Sequence, residues 1–303
     1  TGVFLAHEDL QGQLISGYDF ISTPSMSNDG DGIDANPDDP GDSTENGKSS
    51  WHGTHVAGTV ASRTDNNLGL AGVSWGAKIM PLRVLGVEGG TSNDIIQSVR
   101  YAAGLSNDSG TIPAKRADII NLSLGGGSFL QSAQEAYTAA RNEGVIIIAA
   151  AGNENTSQLS YPASYEGVVS VSATDYNNER APYSNFGTAI DVAAPGGDTS
   201  ADLNQDRYSD GVWSCLVDDS SGTRQSAYVA YQGTSMAAPH MAGIVALMKA
   251  VHTDLSPNDF DLLLSSGTIT TDLGLVGRDD TYGHGFIDAF KAVQEASRLA
   301  GGG

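Results

Sequence analysis

Three short stretches carry groups that could cooperate in acyl-transfer chemistry. They are Trp51-His52-Gly53-Thr54-His55, Ala150-Ala151-Gly152-Asn153 and Gly233-Thr234-Ser235-Met236-Ala237-Ala238-Pro239-His240. A hydroxyl is a poor nucleophile until a neighbouring imidazole takes its proton, and the oxyanion formed on attack needs preorganised donors. Ser235, His52 and Asn153 are the right types for nucleophile, base and oxyanion donor in turn. Taken alone, Ser235 reads as a plain helix N-cap. His52 and His55 are spaced as two ligands on a helix face, but a third zinc ligand and the usual glutamate are absent. His55 is therefore read as packed, and His52 as the candidate base. The three motifs point to chemistry only in combination.

The elements between them form a scaffold that can present all three. Ile79–Leu85 and Asp118–Ser123 read as buried strands, and Val145–Ala151 is apolar without alternation, as strands covered on both faces are. Amphipathic helices over 92–105 and 128–143 intervene. This β-α-β-α-β order predicts right-handed crossovers and a parallel sheet, with ligands beyond the carboxyl ends of its strands. Ser123–Gly127 and Gly152–Asn155 lie just past two such ends. Beyond Ser235, the spacing of Met241, Val245 and Met248 predicts a central dry helix. Pro239 is expected in or just past its first turn, where a missing N–H costs little. Short strands are expected at Leu14–Phe20, Val168–Ala173 and Ile190–Ala194, and a polar surface insertion at Gly197–Tyr228. Ser256-Pro257 opens a further helix, and the last runs from Asp288 to Leu299. One domain over 1–300 is expected, with 301–303 as a glycine tail.

Composition narrows the partners. The 303 residues carry 36 acidic against 15 basic side chains, a formal net charge of -21, which disfavours nucleic acid and anionic lipid. No apolar run is long enough to span a membrane. The lone cysteine, Cys215, excludes an internal disulfide framework and reads as a buried small residue. The acidity is concentrated in Ser25–Ser50, densest at Asp29-Gly30-Asp31-Gly32-Ile33-Asp34. Clustered carboxylates of this kind favour a hard cation such as calcium, although the spacing is not that of an EF-hand.

With His-Gly-Thr-His, Ala-Ala-Gly-Asn and Gly-Thr-Ser-Met-Ala-Ala-Pro-His in this order, and Tyr282-Gly283-His284-Gly285-Phe286-Ile287-Asp288 near the end, the sequence resembles the subtilisin-like serine proteases, the subtilases. The resemblance runs from Thr1 to about Val293. It implies a three-layer α/β fold with a mostly parallel central sheet and helices on both faces. It also implies that Ser235 is the nucleophile, His52 the general acid/base and Asn153 the oxyanion donor, joined by the Ser235 backbone N–H. An extended substrate strand would lie between Gly89-Gly90-Thr91 and Ser123-Leu124-Gly125, which favours broad specificity. Ala150, Ala151 and Gly152 would wall an apolar S1 pocket, and Glu154 near its rim is read either as admitting a basic P1 residue or as a solvated surface glutamate; the expectation is a preference for large apolar P1 residues. The acidic stretch resembles the calcium-binding insertion of some secreted bacterial members, with Asp29, Asp31, Asp34, Asp39 and Asp42 as ligands of a structural ion. The family's other common site would use Asp9 and the loop near Asp65–Gly69, which is short here.

In the family, the catalytic aspartate immediately precedes a Thr/Ser-Gly pair at the end of a central strand. Thr1-Gly2 matches that pair, so the resemblance places the aspartate just ahead of Thr1, with the strand that carries it. The expectation is thus a secreted, monomeric endopeptidase, made as a zymogen with a propeptide and acting on polypeptides. The alternatives are a truncated or non-catalytic relative that binds peptides in the same groove, and a calcium-dependent structural module.

Overall fold

Val145–Ala151 is where the apolar pattern and the backbone agree most closely, and the sheet is built outward from it. The computed structural model describes residues 1–301. In chain order the elements are β1 (Tyr18–Asp19), α1 (Pro24–Ser27), α2 (His52–Ala61), β2 (Leu82–Arg83), α3 (Ser92–Ala102), β3 (Ile119–Leu122), α4 (Gln131–Asn142), β4 (Ile146–Ala150), β5 (Val168–Thr174), β6 (Val192–Pro195), β7 (Val212–Asp218), β8 (Gln225–Tyr231), α5 (Thr234–Val251), α6 (Pro257–Ser265), β9 (Thr270–Thr271), β10 (Phe286–Ile287) and α7 (Ala289–Ala300). They fall into two compact units, Thr1–Ala117 with Trp213–Val229, and Asp118–Val212 with Ala230–Gly303.

The second unit holds a six-stranded sheet in the order β3-β4-β5-β6-β10-β9. It is parallel from β3 to β10, with Ile119 opposite Ile146 and Ile147 opposite Val168, and only the edge strand β9 runs antiparallel. Every residue of β4 and β5 is buried, so both faces of the sheet are covered. Helix α5 lies across β3 to β6 and packs on α7. Met241, Val245 and Met248 are wholly buried, as their spacing predicts. Ser256 and Asp259 close a reciprocal capping box on α6. The predicted tail begins at Gly301, and its last two residues lie outside the described ones.

The first unit pairs β1 with β2 in parallel, Tyr18 opposite Leu82. Longer strands are expected there, at Leu14–Phe20 and Ile79–Leu85, and two residues each are found, with a lone bridge at Leu14 and Ile79. The reason is local. The pairing slips by one residue between the Leu14–Ile79 bridge and the Tyr18–Leu82 pair, a bulge that interrupts both strands where Pro81 has no N–H to give the ladder. The expected surface insertion at Gly197–Tyr228 is also corrected. Its second half is the β7–β8 pair, and Ser214 and Cys215 are fully buried. Gly58 of α2 permits this contact, because a Cβ there would sit 2.5 Å from Ser214 Oγ. Ser214 donates to the His55 carbonyl at 2.7 Å, and Ser62 Oγ lies 3.1 Å from Cys215 Sγ.

Candidate active site

Ser235 is the second residue of α5, after Gly233 at φ +147°. That conformation suits glycine and lets the chain turn sharply from extended backbone into helix. Gly233 N–H is held by the Gly196 carbonyl and the Tyr183 hydroxyl, both at 3.0 Å. Pro239 sits just past the first turn, within the range expected. It is the sixth helical residue, and it lacks the N–H that would bond the carbonyl four residues back. That carbonyl belongs to Ser235, and Ser123 Oγ donates to it instead, at 2.7 Å. The end of β3 therefore replaces a missing rung of the helix at the residue that carries the candidate nucleophile.

Asn153 lies just past β4, and its amide orientation is fixed by its neighbours. Its Oδ1 accepts from the Thr234 N–H and from the Thr234 hydroxyl, both at 2.9 Å. With the oxygen so occupied, the amide NH2 is the end left to donate. Thr234 is completely buried, and its hydroxyl also accepts from Gly152 N–H at 3.1 Å. Asn153 and Ser235 are thus tied together through Thr234. That residue stands in the Gly-Thr-Ser motif, but nothing in the sequence marks its hydroxyl as the link.

His52 opens α2, behind Trp51 at φ +50°. No side chain of the N-cap residue bonds the helix start. Two acid–hydroxyl relays do so instead. Asp42 accepts from Ser50 N–H at 2.6 Å and from its hydroxyl, and Ser50 Oγ accepts from His52 N–H at 3.3 Å. Asp39 accepts from Thr1 Oγ1 at 2.6 Å, and that oxygen accepts from Gly53 N–H at 3.0 Å. Burial pushes the His52 imidazole down to about 4, with the Asp42 carboxylate acting in the opposite sense. His55 is fully buried, and its Nε2 lies 3.1 Å from the Val229 carbonyl, which places it in packing as expected.

The predicted calcium ligands do not converge. Asp29 pairs with Arg83 at 2.7 Å, Asp34 accepts from Asn36 N–H at 2.7 Å, and Asp39 and Asp42 serve Thr1 and Ser50. Asp31 is exposed and makes its own turn with Asp29. Asp9 is likewise engaged by donors, the Asn66 amide at 2.7 Å and Leu70 N–H at 3.2 Å. Among the described residues, no three His, Cys, Asp or Glu come together as a metal site. The carboxylates as placed do not fit one ion.

The predicted substrate residues occupy two places. In the first unit, Gly89 closes a tight turn back onto Gly86, Gly90 lies against the Val84 carbonyl, and Thr91 caps α3 by accepting from Asp94 N–H at 3.1 Å. In the second, Ser123, Leu124 and Gly125 come directly after β3, while Ala150, Ala151 and Gly152 end β4 and lead to Glu154. Gly125 faces Ser160, whose Oγ would be 3.4 Å from a Cβ there, and Gly127 bridges Tyr161. The Ser160-Tyr161 segment carries no local sequence signal, because its bridge to Gly127 spans more than thirty residues.

The subtilase family pattern matches residues 1–285, and so includes all three motifs. The chain belongs to the subtilase family. This subtilase is 41% identical to an extracellular protease of Xanthomonas campestris, over 88% of this chain and 46% of that protein. It is 32% identical to thermitase of Thermoactinomyces vulgaris, over 97% of this chain and 86% of that protein. A solved protease of Pseudoalteromonas arctica superimposes with a TM-score of 0.89 at 42% identity, covering 98% of this chain and 88% of that one. The subtilase spans about half the length of several of the curated relatives it matches. No helix among the described residues is long and apolar enough to cross a membrane.

Proposed function

We propose that this subtilase is a secreted serine endopeptidase that cleaves polypeptides by acyl transfer. Ser235 would attack the scissile carbonyl, His52 would take and return the proton, and Asn153 with the Ser235 N–H would hold the oxyanion. The observation that carries the reading is the Asn153 amide. Two donors from Thr234, the first residue of the helix that bears Ser235, occupy its oxygen, so the NH2 is the end left to donate. A carboxylate partner for His52 would fix the imidazole tautomer and steady the imidazolium.

Several finer assignments belong to the same proposal. Backbone pairing along Gly89–Thr91 and Ser123–Gly125 would give broad specificity, and the Ala150–Gly152 wall would favour large apolar P1 residues. Synthesis as a zymogen with a propeptide, and a monomeric state, are also part of it. Calcium is general in the family, but no step is drawn through it, because the carboxylates here are committed to other partners. Labelling with a fluorophosphonate tests the core of the reading. Modification of Ser235 in the folded protein, lost in Ser235→Ala, is expected. A folded protein that neither labels nor hydrolyses peptides would refute it.

A further inference from the structure

The chain segment after β4 is held by one side chain that the mechanism does not use. Asn185 is 3% exposed. Its Nδ2 donates to the Ala151 carbonyl at 3.0 Å and to Glu154 Oε2 at 2.8 Å. Its Oδ1 accepts from Glu154 N–H at 3.0 Å and from Thr156 N–H at 3.2 Å. Its own N–H donates to the Gly152 carbonyl at 3.0 Å. The amide orientation is set by these partners: one end faces a carbonyl and a carboxylate, the other faces two N–H groups, so a flipped amide would lose all four side-chain bonds. Backbone bonds from Asn155 to Tyr183 and from Phe186 to Thr156 run alongside. Asn185 is therefore clamped onto a segment that contains Asn153 in its middle.

The clamp also decides where two other groups can go. Gly152 adopts φ +109°, and a Cβ there would meet Asn185 Nδ2 at 2.2 Å and Glu154 Oε2 at 2.7 Å, so the three groups interlock in a space only glycine leaves open. Glu154 is exposed as a residue, yet its carboxylate turns back onto the buried amide. A carboxylate accepting from a positioned amide is held more firmly than one hydrated at the surface, because hydrogen bonds to charged groups are the stronger ones.

We propose that Asn185 is a positioning and specificity-determining residue, fixing the Ala151–Thr156 wall around Asn153 and holding the Glu154 carboxylate so that it is not free to pair with a basic P1 side chain. The proposal rests on the protease reading of this site. It assigns the discrimination between basic and apolar P1 residues to a side chain 29 to 34 residues along the chain from the groups it holds, and it makes the placement of Asn153 depend on both Thr234 and Asn185.

Asn185→Asp is the probing change, since it keeps the shape but sets an oxygen against the Ala151 carbonyl and the Glu154 carboxylate. The assay compares kcat and KM on matched peptides with Phe or Lys at P1, in the full chain. N185D is expected to lower kcat on the Phe substrate about 10- to 100-fold, as a misplaced reacting group does, with KM within about threefold. The Lys-to-Phe ratio of kcat/KM should rise about tenfold as Glu154 is released. Adding Glu154→Gln, whose amide can donate to the new carboxylate, should recover about tenfold in kcat. Unchanged kcat and ratio in N185D, or a double variant no better than N185D, would overturn the proposal. Should N185D not fold, recovery of folding in the double variant supports the pairing, and continued failure overturns it. A wild-type chain that neither labels nor hydrolyses peptide would sink the protease reading itself, and with it this inference.

Discussion

Thr234→Val isolates how the candidate oxyanion donor is held. The substitution is nearly isosteric at a completely buried position, and it removes one hydroxyl that does two jobs. The hydroxyl donates to Asn153 Oδ1 at 2.9 Å and accepts from Gly152 N–H at 3.1 Å. The Thr234 backbone bond to the same Oδ1 survives, so Asn153 keeps one of its two anchors. Deleting an oxyanion donor outright costs about 10²–10³ in turnover, which sets the ceiling. Losing one of two anchors should cost less, about 10- to 100-fold in kcat with KM little changed, because the interaction is made in the transition state. Leaving Gly152 N–H without a partner should also lower stability by about 1–3 kcal/mol. Hydrolysis of a peptide amide, with unfolding measured in parallel, reads both quantities. Thr234→Ser, which keeps the hydroxyl, should stay within a few-fold of wild type. A T234V enzyme with unchanged kcat, or one whose loss lies wholly in KM, would refute the role given to Thr234.

The same structure sets three outcomes for stability. Burial pushes the Asp191 carboxyl up to about 6, from an ordinary value of 3.8. The native state then binds more protons than the unfolded chain between those pH values, so stability is lost as pH rises through them. Asp191→Asn should accordingly raise stability by about 1–3 kcal/mol at pH 7 and by little at pH 4, measured by denaturant unfolding at each pH. Gly152→Ala should cost at least about 1–3 kcal/mol, since φ +109° and the Asn185 contact both reject a Cβ, and a thermal melt within a degree of wild type would contradict this. Chelator should leave the unfolding midpoint of the described chain unchanged, because Asp29, Asp34, Asp39 and Asp42 are met by a guanidinium, N–H groups and hydroxyls. A fall of several degrees would reveal a cation that these contacts do not accommodate.

The sequence shows its strongly periodic parts and hides its polar pairings. Val145–Ala151 is legible as a buried strand because it is apolar at every position, and α5 because Met241, Val245 and Met248 recur at helical spacing. Ser256-Pro257 announces α6 through cap chemistry that acts within four residues. Gly197–Tyr228 misleads because its aspartates dominate the composition, although Ser214 and Cys215 within it are core. The acidic loop misleads for a related reason. Composition registers the charge of Asp39 and Asp42, while their hydroxyl partners lie at Thr1 and Ser50, positions no local pattern connects. Asn185 is invisible in the same way, as a single polar residue whose four side-chain bonds all cross to another segment.

The Ser123–Ser235 hydrogen bond has a consequence for engineering this scaffold. Substrate preference in such an enzyme invites alteration by exchanging the loop after β3, as if it were a detachable part. Here that loop supplies the donor that Pro239 denies to the Ser235 carbonyl, so the candidate substrate loop and the backbone of the candidate nucleophile form one mechanical assembly. A graft that omits a hydroxyl at position 123 would loosen the start of α5 at Ser235 while changing, on its face, only the loop proposed to bind substrate. Loop libraries on this fold should hold Ser123 fixed, or restore the missing N–H by replacing Pro239.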